Sequence, residues 1–167
     1  MSYRFDRRSK NQFIEDIYIS HRMELKLMKQ YVAWLNKTKN LKDDKIYSFV
    51  DNGIDNAGKF LEDGEVDARA DFILKRFGQT DRKIDIKFCR EEKDYFHFKT
   101  HQVKKYIETD TCIVNYMAVN TKNNRFTIFR PKDLQLLLDD KSKHTIFWEK
   151  ECLRIYCKDC KWNQVNF

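Results

Sequence analysis

A chain of 167 residues is long enough for one domain with a hydrophobic core, and its 41% hydrophobic, 14% aromatic and 35% charged residues exclude a disordered polymer. Four Gly and one Pro exclude a loop-built scaffold, and five Cys, an odd number, fit free thiols better than a disulfide framework. The net charge of +7 points to a polyanionic partner such as nucleic acid, while no apolar run approaches a membrane span and "MSYRFDRRSK" lacks the apolar stretch of a signal peptide, so no membrane partner and an intracellular, cytoplasmic location are expected.

Residues 12–37, "QFIEDIYISHRMELKLMKQYVAWLNK", predict one long amphipathic helix with Ile14, Ile17, Tyr18, His21, Leu25, Met28, Val32 and Leu35 on its apolar stripe. "KTKNLKDDK" is a polar connection, "IYSFV" a short strand, and a Gly- and Asp-rich loop follows through Gly64. "VDARADFIL" (66–74) alternates as a strand, with Ala68, Ala70, Phe72 and Leu74 on one face and Asp67, Arg69 and Asp71 on the other. "KRFGQTD" turns into "KIDIKFC" (83–89), where Ile84, Ile86 and Phe88 share one face and Asp85 and Lys87 project from the other. "DYFHFK" (94–99) is a further strand, and "THQVKKYIE" (100–108) a short helix with Thr100 as its N-cap.

The apolar run "CIVNYMAV" (112–119) predicts a central buried strand, and "RFTIFR" (125–130) its hairpin partner. "PKDLQLLLDD" opens a helix at Pro131, with Leu134, Leu137 and Leu138 as its stripe. From His144 onward the pattern assigns no elements. The whole chain, 1–167, is expected to form one α/β domain in which a mixed central sheet is flanked by helices. Its core covers about 12–140, and a C-terminal extension covers about 141–167.

Charge singles out one region. The chain is basic over residues 1–50 (+5), 72–110 (+3) and 111–167 (+4), but residues 51–71 carry −5. An acidic block in a basic protein calls for a bound cation. Asp71 and Asp85, on successive strands, can point into one cleft, and two carboxylates suit a hard ion such as Mg²⁺, which keeps waters and substrate phosphate as further ligands. A lysine beside them, Lys87, fits phosphodiester hydrolysis, where an ammonium orients water and offsets developing negative charge.

The pattern Asp71-x13-Asp85-x-Lys87 resembles that of the PD-(D/E)XK nuclease superfamily, and the order helix, strand meander, helix, strand is similar to its core. Gln102-x3-Tyr106, in "QVKKY", is similar to the Q-x3-Y motif of RecB-type members, with Gln102 and Tyr106 expected at the cleft and Val103 and Ile107 in the core. The resemblance implies a restriction-endonuclease-like fold and a Mg²⁺-dependent deoxyribonuclease, with Mn²⁺ able to substitute, that cleaves by metal-activated water. It makes Asp71 and Asp85 metal ligands, with the Ile86 carbonyl a third and Glu24 of the first helix a fourth, ahead of Glu15. Lys87 becomes the catalytic lysine, with Gln102 and Tyr106 in supporting roles. Glu65 and Asp67 are rivals for the place of Asp71. Lys99, His101, Lys104 and Lys105 are candidates for phosphate contact.

A non-catalytic nucleic-acid-binding module of the same fold, or an RNA-directed nuclease, is the alternative. A chain with no separate recognition domain would draw specificity from a homodimer, another partner or a structured substrate. In the tail, Cys157-x2-Cys160 with Cys152 and His144 forms half a zinc site. The alternation of "CLRIYC" sends Cys152 and Cys157 to opposite faces, so free cysteines are expected.

Overall fold

The computed structural model describes residues 9–42, 45–52, 70–119 and 123–165. Its first helix, α1 (Lys10–Lys39), is longer than the apolar spacing alone predicts because both ends are capped. Ser9 Oγ accepts from the Gln12 N–H at 3.2 Å, while the Ser9 N–H donates to Gln12 Oε1 at 2.9 Å. At the other end Asn40 turns left-handed (φ 45°, ψ 53°), and Lys37 and Lys39 oppose the negative end of the helix dipole. Burial is confined to the C-terminal half, through Leu27, Met28, Tyr31, Val32 and Leu35. Tyr18, placed on the stripe by its spacing, is therefore exposed.

The central sheet has six strands in the order β1 (Tyr47–Asp51), β2 (Phe72–Arg76), β3 (Arg82–Cys89), β5 (Thr111–Val119), β6 (Asn123–Phe129) and β9 (Asn163–Gln164). β1, β2 and β3 form an antiparallel meander whose second turn uses Gly78 at φ 72°. β3 and β5 are parallel, so the chain between them must cross over, and it does so through β4 (Tyr95–Lys99) and α2 (Thr100–Glu108). β5 is flanked by β3 and β6, and every residue from Thr111 to Met117 is buried, which explains its unbroken apolar run. The mixed sheet flanked by helices is thus the fold class expected from the sequence.

Two expectations are corrected. The strand drawn from residue 66 begins at Phe72, with Asp71 in a bend before it, and residues 66–69 lie outside the described residues. Thr100 is the first helical residue of α2, not its cap, and is buried; Lys99 holds the cap position without a side-chain capping hydrogen bond.

β4 does not join the central sheet. It pairs with the tail in a second sheet, β4-β8-β7, built from β7 (His144–Phe147) and β8 (Lys150–Tyr156). The reason lies in matching alternation: Phe96 and Phe98 of β4 meet Leu153 and Ile155 of β8 on the inward side. β7 and β8 are joined by Trp148 and Glu149, both left-handed (φ 52° and 60°), the backbone that a two-residue hairpin turn requires.

The sheet has a hydrophobic core on each face. Under α1, its buried stripe packs on Phe72, Leu74, Ile84, Ile86, Val114, Tyr116 and Phe126. On the opposite face Ile113, Met117 and Phe129 pack with Val103 and Tyr106 of α2, Leu134 of α3 (Pro131–Asp139) and the inward side of the small sheet. Among the described residues no helix is long and apolar enough to cross a membrane.

Candidate active site

Strand β3 serves two environments. Ile84 and Ile86 enter the core beneath α1, while Asp85 and Lys87, by strand alternation, face the side that holds α2. Asp85 is 1% exposed. Lys87 Nζ lies 2.9 Å from its Oδ2 and 3.2 Å from its Oδ1, and only the contact with Oδ1 has hydrogen-bond geometry. The Lys87 side chain is 40% exposed along its length, whereas that of Asp85 is 2% exposed.

Asp71 comes to the same place from the bend that precedes β2 and is 7% exposed. Its Oδ2 accepts the Ile86 N–H at 2.7 Å. Asn52, just past β1, fixes the bend: its N–H donates to the Asp71 carbonyl at 2.9 Å and its side-chain amide to the Ala70 carbonyl at 2.8 Å. Beside it, His21 Nε2 of α1 lies 2.8 Å from Asp51 Oδ2.

The electrostatics are those of crowded acid groups. Burial, and then the Asp85 charge, hold the Asp71 carboxyl well above its usual 3.8, with Glu24 pushing the same way and Lys87 and the Ile86 N–H opposing. Burial draws the Lys87 pKa down, but Asp85, Tyr106 and Asp71 outweigh it, so the group is held firmly as an ammonium. Burial and then Asp85 raise the Tyr106 phenol, which remains a neutral O–H.

Two buried carboxylates, one of them carrying an oxygen with no hydrogen-bond partner among the described residues, fit a hard cation with oxygen ligands. Among the described residues no group of three or more His, Cys, Asp or Glu comes together to hold an ion.

The structure therefore gathers Asp71, Asp85, Ile86 and Lys87, with Tyr106 facing them electrostatically from α2 and the Glu24 charge bearing on Asp71 from α1. The Ile86 group observed in contact with Asp71 is its N–H rather than its carbonyl. Tyr106 is itself part of the second core alongside Val103, and Gln102, one turn earlier, is half-buried. His101, Lys104 and Lys105 are exposed along α2, and Lys99 is half-buried at its start. Glu15 is exposed on the N-terminal half of α1, and Glu65 and Asp67 lie outside the described residues.

Among the buried polar residues that sequence reasoning left unassigned, Asn115 lies nearest the site in register. Asn115 is 2% exposed, sits in register beside Lys87 on one side and buried Thr127 on the other, and its Nδ2 has no partner among the described residues. Its signal was an amide inside the otherwise apolar "CIVNYMAV". The tail cysteines are dispersed: Cys157 Sγ contacts Met117 Sδ at 3.9 Å, Cys160 Sγ reaches the Tyr156 carbonyl at 3.5 Å, and Cys152 lies on the other side of β8. His144 meets the Leu138 carbonyl at 2.8 Å and Glu151 at 3.3 Å.

No family model matches the chain, and no curated protein matches it. Among solved structures it is similar to a Holliday junction resolvase from the archaeal hyperthermophile Archaeoglobus fulgidus. The identity is 10% and the TM-score 0.37, over 67% of this chain and 76% of that one.

Proposed function

We propose that this chain is a Mg²⁺-dependent nuclease that hydrolyses DNA phosphodiester bonds. The observation that carries the reading is the meeting of Asp71 and Asp85, both buried, with the Lys87 ammonium 2.9 Å from Asp85. A purely structural ion pair would need one acid. The second carboxylate raises the cost of burial, and a divalent cation offsets that cost.

In this reading Asp71 and Asp85 hold the ion, with the Ile86 carbonyl as a third ligand and Glu24 acting on the site from α1. Mn²⁺ substitutes for Mg²⁺. Bound there, the ion supplies positive charge to the phosphate and acidifies water. Lys87 orients the attacking water and neutralises charge that builds on the phosphate oxygens. Tyr106 keeps its proton and donates a hydrogen bond toward the acids, and Gln102 orients the substrate beside it. Lys99, His101, Lys104 and Lys105 follow the phosphate backbone.

The test is incubation with circular and linear, single- and double-stranded DNA, with and without Mg²⁺. Cleavage that requires Mg²⁺ or Mn²⁺ and is lost in Asp85→Asn is the expected result. A protein that binds these DNAs but cleaves none with either metal would be a non-catalytic binding module.

A further inference from the structure

The outward face of the small sheet plays no part in the site above, and its composition is unusual. By register and alternation this side carries Tyr95, His97 and Lys99 from β4, Lys150, Arg154, Tyr156 and the buried Cys152 from β8, and Thr145 and Phe147 from β7. None of these is acidic.

The rings on this face form a continuous series. Tyr156 meets Tyr95 edge to face at 6.0 Å, Tyr95 meets His97 at 5.3 Å, and His97 stacks on Phe147 at 4.2 Å with planes 16° apart. Phe147 meets Trp148 at 5.9 Å. Tyr95, Tyr156, Phe147 and Trp148 are exposed to solvent, and His97 between them is half-buried; Trp148, at 78%, is held at the hairpin tip on left-handed backbone. Cations line it: Arg154 lies 4.8 Å from the Tyr95 ring centroid and donates to His97 Nε2 at 3.3 Å, and Lys143 and Lys158 each lie 5.8 Å from the Tyr156 ring centroid.

A soluble protein rarely leaves a run of large rings uncovered unless something covers it. A second copy of this chain would bring a like-charged cationic face against this one, which disfavours that occupant. A strand of unpaired nucleotides fits both features: its bases stack on rings whatever their sequence, and its phosphates meet the lysines and arginine between them. A duplex keeps its bases stacked inside and would meet only the charges.

We propose that this face binds single-stranded nucleic acid by stacking unpaired bases on the series Tyr156–Tyr95–His97–Phe147–Trp148. It goes beyond the nuclease reading because it requires no cleavage. β4 runs directly into α2, and Tyr106, seven residues past Lys99, lies roughly 10 Å along the helix axis from the end of β4.

The experiment uses the full chain in EDTA, so that nothing is cleaved, with fluorescein-labelled oligothymidine of twenty nucleotides and a blunt duplex of equal length. Anisotropy reads affinity, and tryptophan emission reports contact at Trp148. Trp148→Asn removes the ring while suiting the left-handed turn, and Tyr95→Ser is a second variant at the far end of the series. Each is expected to weaken oligothymidine binding about 5- to 150-fold, the range for one stacked base, and to change duplex binding less than twofold. Quenching of tryptophan emission by oligothymidine is expected in the parent and lost in Trp148→Asn.

Equal losses for oligothymidine and duplex, or no loss, would overturn the proposal, as would a parent chain that does not bind oligothymidine. So would light scattering that shows a dimer converted to monomer by Trp148→Asn, because the face would then belong to a second copy. Ring-dependent binding without any Mg²⁺-dependent cleavage leaves this proposal standing and removes the nuclease reading. Cleavage that ignores both substitutions, with binding unchanged, does the reverse.

Discussion

Lys87→Met isolates the charge at the centre of the site, because methionine keeps most of the stem and removes the ammonium. Its partner, Asp85, is 1% exposed, and stripping one member from a buried ion pair typically costs about 3–5 kcal/mol. The Lys87 side chain is 40% exposed, so part of the attraction is already screened, and a loss of about 1–3 kcal/mol follows. For a chain of this length each kcal/mol moves Tm by about 2–4 °C, so the variant should melt about 2–12 °C below the parent in EDTA. Mg²⁺ should narrow that gap, because a cation between Asp71 and Asp85 replaces the missing positive charge. Cleavage should nonetheless fall about 10²–10³-fold, since the ion cannot position water as the ammonium does. The assays are thermal melting with and without Mg²⁺ and time courses on linear DNA. A variant that melted with the parent in EDTA and cleaved at the parental rate would refute the reasoning.

Asp71→Asn keeps an acceptor for the Ile86 N–H and removes one acid, so the variant should be more stable than the parent in EDTA at neutral pH and lose stabilisation by Mg²⁺; ion concentrations 100-fold above the parent's Kd should stabilise the parent alone by about 2.7 kcal/mol. Because the Asp71 pKa is raised in the folded state, its contribution to stability is present below the ordinary 3.8 and is lost as pH rises through the raised value, while Mg²⁺ affinity gains over the same window; melting curves across pH that show neither trend would contradict the crowding of the two acids. Asn115→Val removes a buried amide whose Nδ2 has no partner, so it should leave stability unchanged or raise it by about 1 kcal/mol; a reduced cleavage rate in the same variant would mark the row Lys87–Asn115–Thr127 as part of the site. Leu153→Ala, a tail substitution, should cost about 2–5 kcal/mol in denaturant melts, because Leu153 is fully buried in the second core.

Local signals made much of this architecture readable. The stripe on α1, the alternation in β3, the apolar run of β5 and Pro131 at the start of α3 each follow from one periodicity or one backbone constraint. The Asp71–Asp85–Lys87 grouping was legible for the same reason, since two of the three residues share one strand face and the third lies just before the adjoining strand. What escaped was non-local. Nothing within "DYFHFK" says that its partner is "ECLRIYC" rather than a strand of the central sheet; that choice depends on which apolar face is free once the chain has folded. Asn115 was passed over because a single polar residue does not break an apolar run, and its place beside Lys87 depends on the parallel register. Thr100 looked like a cap because its residue type favours that position, yet the buried start of α2 drew its side chain inward instead.

The pairing of β4 with β8 also sets an order of events during synthesis. His97 and Arg154, bonded across the two strands, are 57 residues apart in the chain. At about 5–20 residues per second, β4 emerges from the ribosome roughly 3–11 seconds before the strand that will cover its edge. Throughout that interval Phe96 and Phe98 have no partners from β8, on a nascent chain whose central β3–β5 pairing is itself slow because parallel strands close a long loop. Chaperone demand should therefore peak late in translation. Chains that terminate before residue 150 should leave the β4 edge open to pairing with another chain, and so accumulate as aggregates rather than as shorter soluble proteins.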